Sequence, residues 1–123
     1  TLQKRWKLRM SEVGPASKHR FFFWKQLSVV GTSHHDFKGA LHKIKQGAML
    51  TLVRDAANKY DAFAVEVREP ATNQKVGYLA RSNDGEVARF MDNGYEPKAY
   101  VQVCDGISLI INLWLEKKNW NAE

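Results

Sequence analysis

The stretch "ISLIINLWLEK", residues 107–117, decides how the chain is read. Every odd position from Ile107 to Leu115 is apolar, while Ser108, Asn112 and Glu116 punctuate the other face. Successive side chains of a strand point to opposite faces, so a period of two marks a half-buried strand. Working outward, "FAVEVRE" at 63–69 repeats the pattern, with Phe63, Val65 and Val67 on one face and Glu66 and Arg68 on the other. "KQLSVVG" (25–31), "AMLTLV" (48–53), "KVGYLA" (75–80) and "AYVQVCD" (99–105) are shorter versions with β-branched and aromatic content. These segments predict six strands.

Turn signals separate them: Gly31, Gly47, "EPATNQ" at 69–74 and Asn93-Gly94. "SNDGEVARFMDNG" at 82–94 predicts a helix, with Ser82 or Asp84 as its cap, Val87, Phe90 and Met91 on one face, and Asn93-Gly94 as its end. "FKGALHKIKQG" at 37–47 is a candidate second helix carrying Leu41 and Ile44 on one side, weakened by Gly39. The expected fold is mainly β with one or two short helices, as a small barrel or strongly curved sheet. Residues 1–20 form a basic arm, 21–118 the folded domain and 119–123 a tail; "SEVGPAS" at 11–17 has the composition of a linker.

A chain of 123 residues is the size of one domain. Hydrophobic residues make up 44% and charged residues 26%, which is globular composition. The single cysteine, Cys104, rules out an internal disulfide and cysteine-rich zinc sites. No apolar run approaches the roughly 20 residues of a membrane-spanning helix, and the basic start lacks the apolar core of a secretory signal. A reducing, cytoplasmic setting without a membrane is the expectation. The formal charge of +6 has one source: residues 1–25 carry Lys4, Arg5, Lys7, Arg9, Lys18, Arg20 and Lys25 against Glu12 alone, and the remainder is neutral. Such a basic block is a solvated arm able to track phosphates.

Catalytic motifs are missing. His34, His35 and Asp36, with His42 nearby, invite a metal reading. Adjacent residues on a strand face opposite ways, however, and no established zinc spacing is present. Cys104 closes a strand as a small packing residue, no serine sits in a nucleophile elbow, and the dispersed glycines make no phosphate loop. The expectation is a protein that is not an enzyme and needs no cofactor.

What remains is a set of aromatics, amides and cations at strand ends: Asn58, Tyr60, Asp61, Tyr78, Arg81 and the His34-His35 pair. Flat side chains stack on bases, carboxylates and amides bond base edges or sugar hydroxyls, and cations take phosphates, so the set suits a flexible nucleic-acid strand. Each member also has a structural explanation. Tyr60 can cover the core edge, Asp61 can cap a turn, and Arg81 can complement Asp84 or Glu86.

"VVGTSHH", "LTLVRDAANKYDAFAVEV", "QKVGYLAR" and "ARFMDNGY" together resemble the HIRAN domain over about residues 25–115, including the spacing within "RDAANKYDAFAV". The resemblance implies an OB-like or SH3-like six-stranded β-barrel that binds single-stranded DNA at a free 3′-hydroxyl end. Such modules occur alone or fused to helicases or nucleases that act in repair and replication-fork processing. By the same resemblance, Tyr60 stacks on the terminal nucleotide, Asp61 accepts a hydrogen bond from the 3′-hydroxyl, and Asn58 belongs to the same loop. Tyr78 flanks the strand and Arg81 stands near a phosphate. Ser33, His34 and His35 depart from the family pattern, occupying the places of an arginine and two tyrosines. Histidine stacks over a smaller surface, and losing the arginine removes a phosphate contact. Two other readings remain open at this stage: a protein-interaction or regulatory module on the same barrel, and a metal-dependent nuclease using His34 or His35 with Asp61.

Overall fold

A computed structural model describes residues 13–32, 44–105 and 108–117. Ser33, His34, His35, Asp36 and His42 lie outside these residues, as do most of the candidate helix at 37–47, the arm through residue 12 and the tail at 119–123. After a short 3-10 turn at Lys18–Arg20, the strands are β1 (Phe21–Val30), β2 (Met49–Arg54), β3 (Val65–Glu69), β4 (Gln74–Leu79), β5 (Lys98–Cys104) and β6 (Leu109–Glu116). One helix, α1 (Asp84–Asp92), connects β4 to β5.

The six strands close into an antiparallel barrel in the order β1-β4-β3-β2-β5-β6, with β6 returning to β1. All six strands read from the period-two pattern are present, and β1 extends further toward the N-terminus, taking in "FFFW" at 21–24. Closure leaves no open sheet edge, which removes the usual template for edge-to-edge association. Val65, Val67, Val76, Val101, Ile111 and Leu113 fill the interior with no exposed surface. Each such side chain contributes about 1.5–3 kcal/mol by leaving water. Gly77 sits where β4 crosses β1, and a Cβ there would lie 2.5 Å from the Val30 carbonyl oxygen.

Helix α1 plugs the barrel through Val87 and Ala88, both fully buried. A register shift between Phe23 and Lys25 interrupts β1 beside Trp24, whose ring packs edge-on against Phe90 of α1 at 4.7 Å. Asn93 ends the helix and Gly94 follows with φ of +91°, as the Asn-Gly pair predicts. The start differs from expectation. Asn83 is the N-cap and makes no side-chain capping bond, while Asp84 is the first helical residue and is buried.

Two faces read as solvent-exposed are covered. On β6, Asn112 and Trp114 are as buried as their apolar neighbours because residues 13–15 lie across them: Asn112 Nδ2 and Trp114 Nε1 both donate to the Val13 carbonyl, at 3.1 and 3.0 Å. The stretch read as a linker is therefore docked at this point. On β3, Glu66 is buried between Arg68 and Lys75, at 3.0 and 2.9 Å. Phe63, read as a strand residue, precedes β3 in a turn and is 40% exposed.

Candidate functional site

The loop joining β2 to β3, residues 55–64, is built by short polar side chains that bond to their own backbone. Asn58 Oδ1 accepts the N–H groups of Tyr60 and Asp61 at 2.9 and 3.0 Å, and Asn58 Nδ2 donates to Asp55 Oδ2 at 3.0 Å. Asp61 Oδ1 accepts the Phe63 N–H at 2.9 Å. Asn and Asp favour such local turns because their side chains imitate a backbone carbonyl. The result fixes Asp61 at the loop's inner side and turns Tyr60 outward, 82% exposed. A ring held in water at that fraction contributes little to the core.

Arg54, at the end of β2, ties this loop to the helix. Its guanidinium donates to the carbonyls of Ala64 and Ala62 at 2.7 and 3.1 Å and makes a two-pronged pair with Asp92 of α1, at 2.9 and 3.2 Å. The bond to Asp92 raises the Arg54 pKa and lowers that of Asp92. Arg81, in the turn between β4 and α1, donates to the Tyr60 carbonyl from the opposite side. Tyr78 on β4 directs its hydroxyl to Asp55 Oδ2 at 3.3 Å and receives Lys75 Nζ at 3.0 Å.

These elements enclose a concavity of about 200 Å³ lined by Asn58, Tyr60, Asp61, Tyr78 and Arg81, together with Asp84. All five of the expected site residues that fall within the described residues thus meet at one place; Ser33, His34 and His35 lie outside them. The concavity shares Asn58, Tyr60, Asp61, Arg81 and Asp84 with an open cleft of about 690 Å³ that runs along α1. Lys25, Lys59 and Arg89 add cationic groups there, and Arg89 stands 5.3 Å over the Phe63 ring. Among the described residues no group of three or more histidine, cysteine, aspartate or glutamate side chains is arranged to hold a metal ion.

Asp84 was legible in the sequence only as a cap or a partner for Arg81. It is 2% exposed, and its Oδ2 has no hydrogen-bond donor in reach. Burial, a hydrogen bond with Asp61 and the repulsion of the Asp61 charge push its pKa up to about 6. Asp61 moves the other way: its hydrogen bond with Asp84, the Phe63 N–H, and the Arg81 and Arg54 charges lower its pKa. Below about pH 6 the two carboxyls therefore hold one proton between them, resident on Asp84. Asp61 is left ionised at the cleft, an acceptor suited to a ligand hydroxyl.

The HIRAN domain family matches residues 25–118. A crystal structure of a protein from Lactobacillus plantarum superposes with a TM-score of 0.73 at 28% identity, covering 77% of this chain and 94% of that one. The crystal structure of the HIRAN domain of human HLTF superposes with a TM-score of 0.64 over 85% of this chain and 88% of that one, and at 22% identity it speaks to the fold alone. No curated protein matches the chain at the sequence level. With the family's pattern spanning most of its length and carried on the closed six-stranded barrel, the chain belongs to the HIRAN domain family.

Proposed function

We propose that this chain is a non-enzymatic DNA-binding module that captures single-stranded DNA by its free 3′-hydroxyl end, serving repair or replication-fork processing in the cytoplasm alongside helicase or nuclease proteins. The observation that carries the reading is the convergence of Asn58, Tyr60, Asp61, Tyr78 and Arg81 on one concavity. An exposed ring next to an ionised carboxylate has a chemical logic. The Tyr60 ring stacks on the terminal base irrespective of its identity, worth about 1–3 kcal/mol. Asp61 accepts a hydroxyl hydrogen bond that a continuing phosphodiester does not offer. Arg81 takes the phosphate of the same nucleotide with the donors it does not spend on the Tyr60 carbonyl. Asn58 serves by holding the loop, since both ends of its amide bond within it.

Fluorescence anisotropy at neutral pH with two oligonucleotides of one sequence, ending in 3′-hydroxyl or 3′-phosphate, tests this directly. Tighter binding of the hydroxyl end is expected. Asp61→Asn, which keeps an oxygen for the Phe63 N–H but removes the charge, should reduce that preference. Equal affinity for the two ends in the unmutated protein refutes end capture.

A further inference from the structure

We infer that Asp84 is a specificity-determining positioning residue of the site proposed above: it holds a proton against Asp61, and that proton fixes Asp61 as the acceptor for the terminal hydroxyl. The inference rests on the end-capture reading and adds to it a residue whose role is felt through Asp61.

The geometry leaves Asp84 few alternatives. It is the first residue of helix α1, behind an N-cap, Asn83, that makes no side-chain capping bond; it is 2% exposed, and its Oδ2 is buried without a hydrogen-bond partner. Burying a carboxylate oxygen without a partner is costly, so an ionised Asp84 would be a liability in this position. Protonation resolves it, because a neutral carboxyl turns the contact with Asp61 from a repulsion between two anions into a hydrogen bond. The charged groups around the pair are Arg54 from the end of β2, Arg81 from the β4–α1 turn, and Asp61 from the β2–β3 loop. Glu86 and Arg89 of α1 line the same cleft. The two arginines favour the ionised form of Asp84, while burial and Asp61 oppose it more strongly.

The function of such a pair follows from what each member can do. The Phe63 N–H holds Asp61 by Oδ1, and a single such bond leaves the carboxylate plane free to turn about it. A donor on its buried side fixes the carboxylate plane and leaves its outer lone pairs for the ligand. Losing the proton has two effects with the same sign. The orienting bond disappears, and a second negative charge arrives beside the DNA phosphates. Preference for a hydroxyl end therefore weakens as pH rises.

The test compares oligonucleotides ending in 3′-hydroxyl and in a dideoxy sugar, which differ by one hydroxyl and carry no titrating terminal phosphate, from pH 5.5 to 8. In the unmutated protein the hydroxyl preference should fall by about three- to tenfold over that range, the value of one net hydrogen bond. Asp84→Asn supplies a permanent N–H donor to Asp61, so its preference should stay high and flat across the range. Asp84→Ala should show the weakened, high-pH preference at every pH. Any titration of the chain's histidines persists in Asp84→Asn and is subtracted by that comparison. Carboxyl 13C titration of the unliganded protein checks the proton independently of DNA and of any variant's folding. An Asp84 carboxyl that titrates in the ordinary range near 4 overturns the inference. So does a hydroxyl preference that neither varies with pH nor responds to Asp84→Asn, while end capture itself survives. Absence of hydroxyl preference at every pH overturns end capture and this role together.

Discussion

At the scale of single residues, Asp61 and Asp84 make opposite use of the same side chain. Asp61 lies at an aqueous cleft with two arginines nearby, and its charge is stabilised; Asp84 is shut away from water, and its charge is resisted. The sequence carries the first half of this pair legibly, in the "NKYD" run at 58–61, and conceals the second. An aspartate two residues after Ser82 at a helix start looks like a cap, and nothing local distinguishes a cap from a buried acid. Only the approach of the β2–β3 loop does so. A consequence for stability follows. The Asp84 pKa is raised from 3.8 to about 6, so the native state holds more protons than the unfolded chain between those values and loses stability as pH rises through them. The depressed pKa of Asp61 opposes part of this. Asp84→Asn should therefore be more stable than the unmutated protein at pH 8, by about 1–2 kcal/mol, and nearly equal to it at pH 4. Urea unfolding at the two pH values measures the difference; equal or lower stability of the variant at pH 8 would contradict the assignment.

At the scale of elements, the strands were legible because their apolar positions recur every second residue, and the barrel keeps those positions inside. What did not show was which outward positions are covered. Asn112 of β6 reads as a solvent-facing amide, yet it is wholly buried. Gln26 of β1 donates to its oxygen at 3.0 Å, and its amide nitrogen donates to Gln102 of β5 and to Val13. That ladder depends on a segment almost a hundred positions away, which no local pattern reveals. Gly14 shows how close the cover is, since a Cβ there would run into the Trp114 ring. Phe63 was misplaced for a related reason: it fits the alternation of β3, but the Asp61 side chain takes its N–H and turns the chain before the strand begins. The same reasoning identifies Arg54 as the joint between β2, the site loop and α1. Arg54→Lys keeps the charge but cannot reproduce the two-pronged pair with Asp92 and the two carbonyl bonds together. It should lower thermal stability and the hydroxyl-end preference in parallel, by about 1–3 kcal/mol in stability. Unchanged end preference with lowered stability would separate the joint from the site.

At the scale of the whole molecule, the barrel supplies a frame, and one rim of it among the described residues carries the candidate site. Closure removes the sheet edges, α1 fills the interior at the level of Val87 and Ala88, and the β2–β3 loop and the β4–α1 turn meet above Asp61. The charge is divided in a matching way. The +6 excess comes from the first 25 residues, whereas Lys59, Arg81 and Arg89 of the cleft belong to the formally neutral remainder. On the reading proposed above, non-specific attraction to phosphates falls to the basic N-terminal segment and recognition of an end to the cleft. The measurement that tests this most directly is a nuclear magnetic resonance titration with a short single-stranded oligonucleotide bearing a 3′-hydroxyl, following backbone amides. The account predicts the largest perturbations at Asn58, Tyr60, Asp61 and Arg81, with Asp84 shifting as its proton-holding partner is engaged, and much smaller ones when the same oligonucleotide ends in a 3′-phosphate. Perturbations confined to the basic N-terminal segment, identical for both ends, would contradict it.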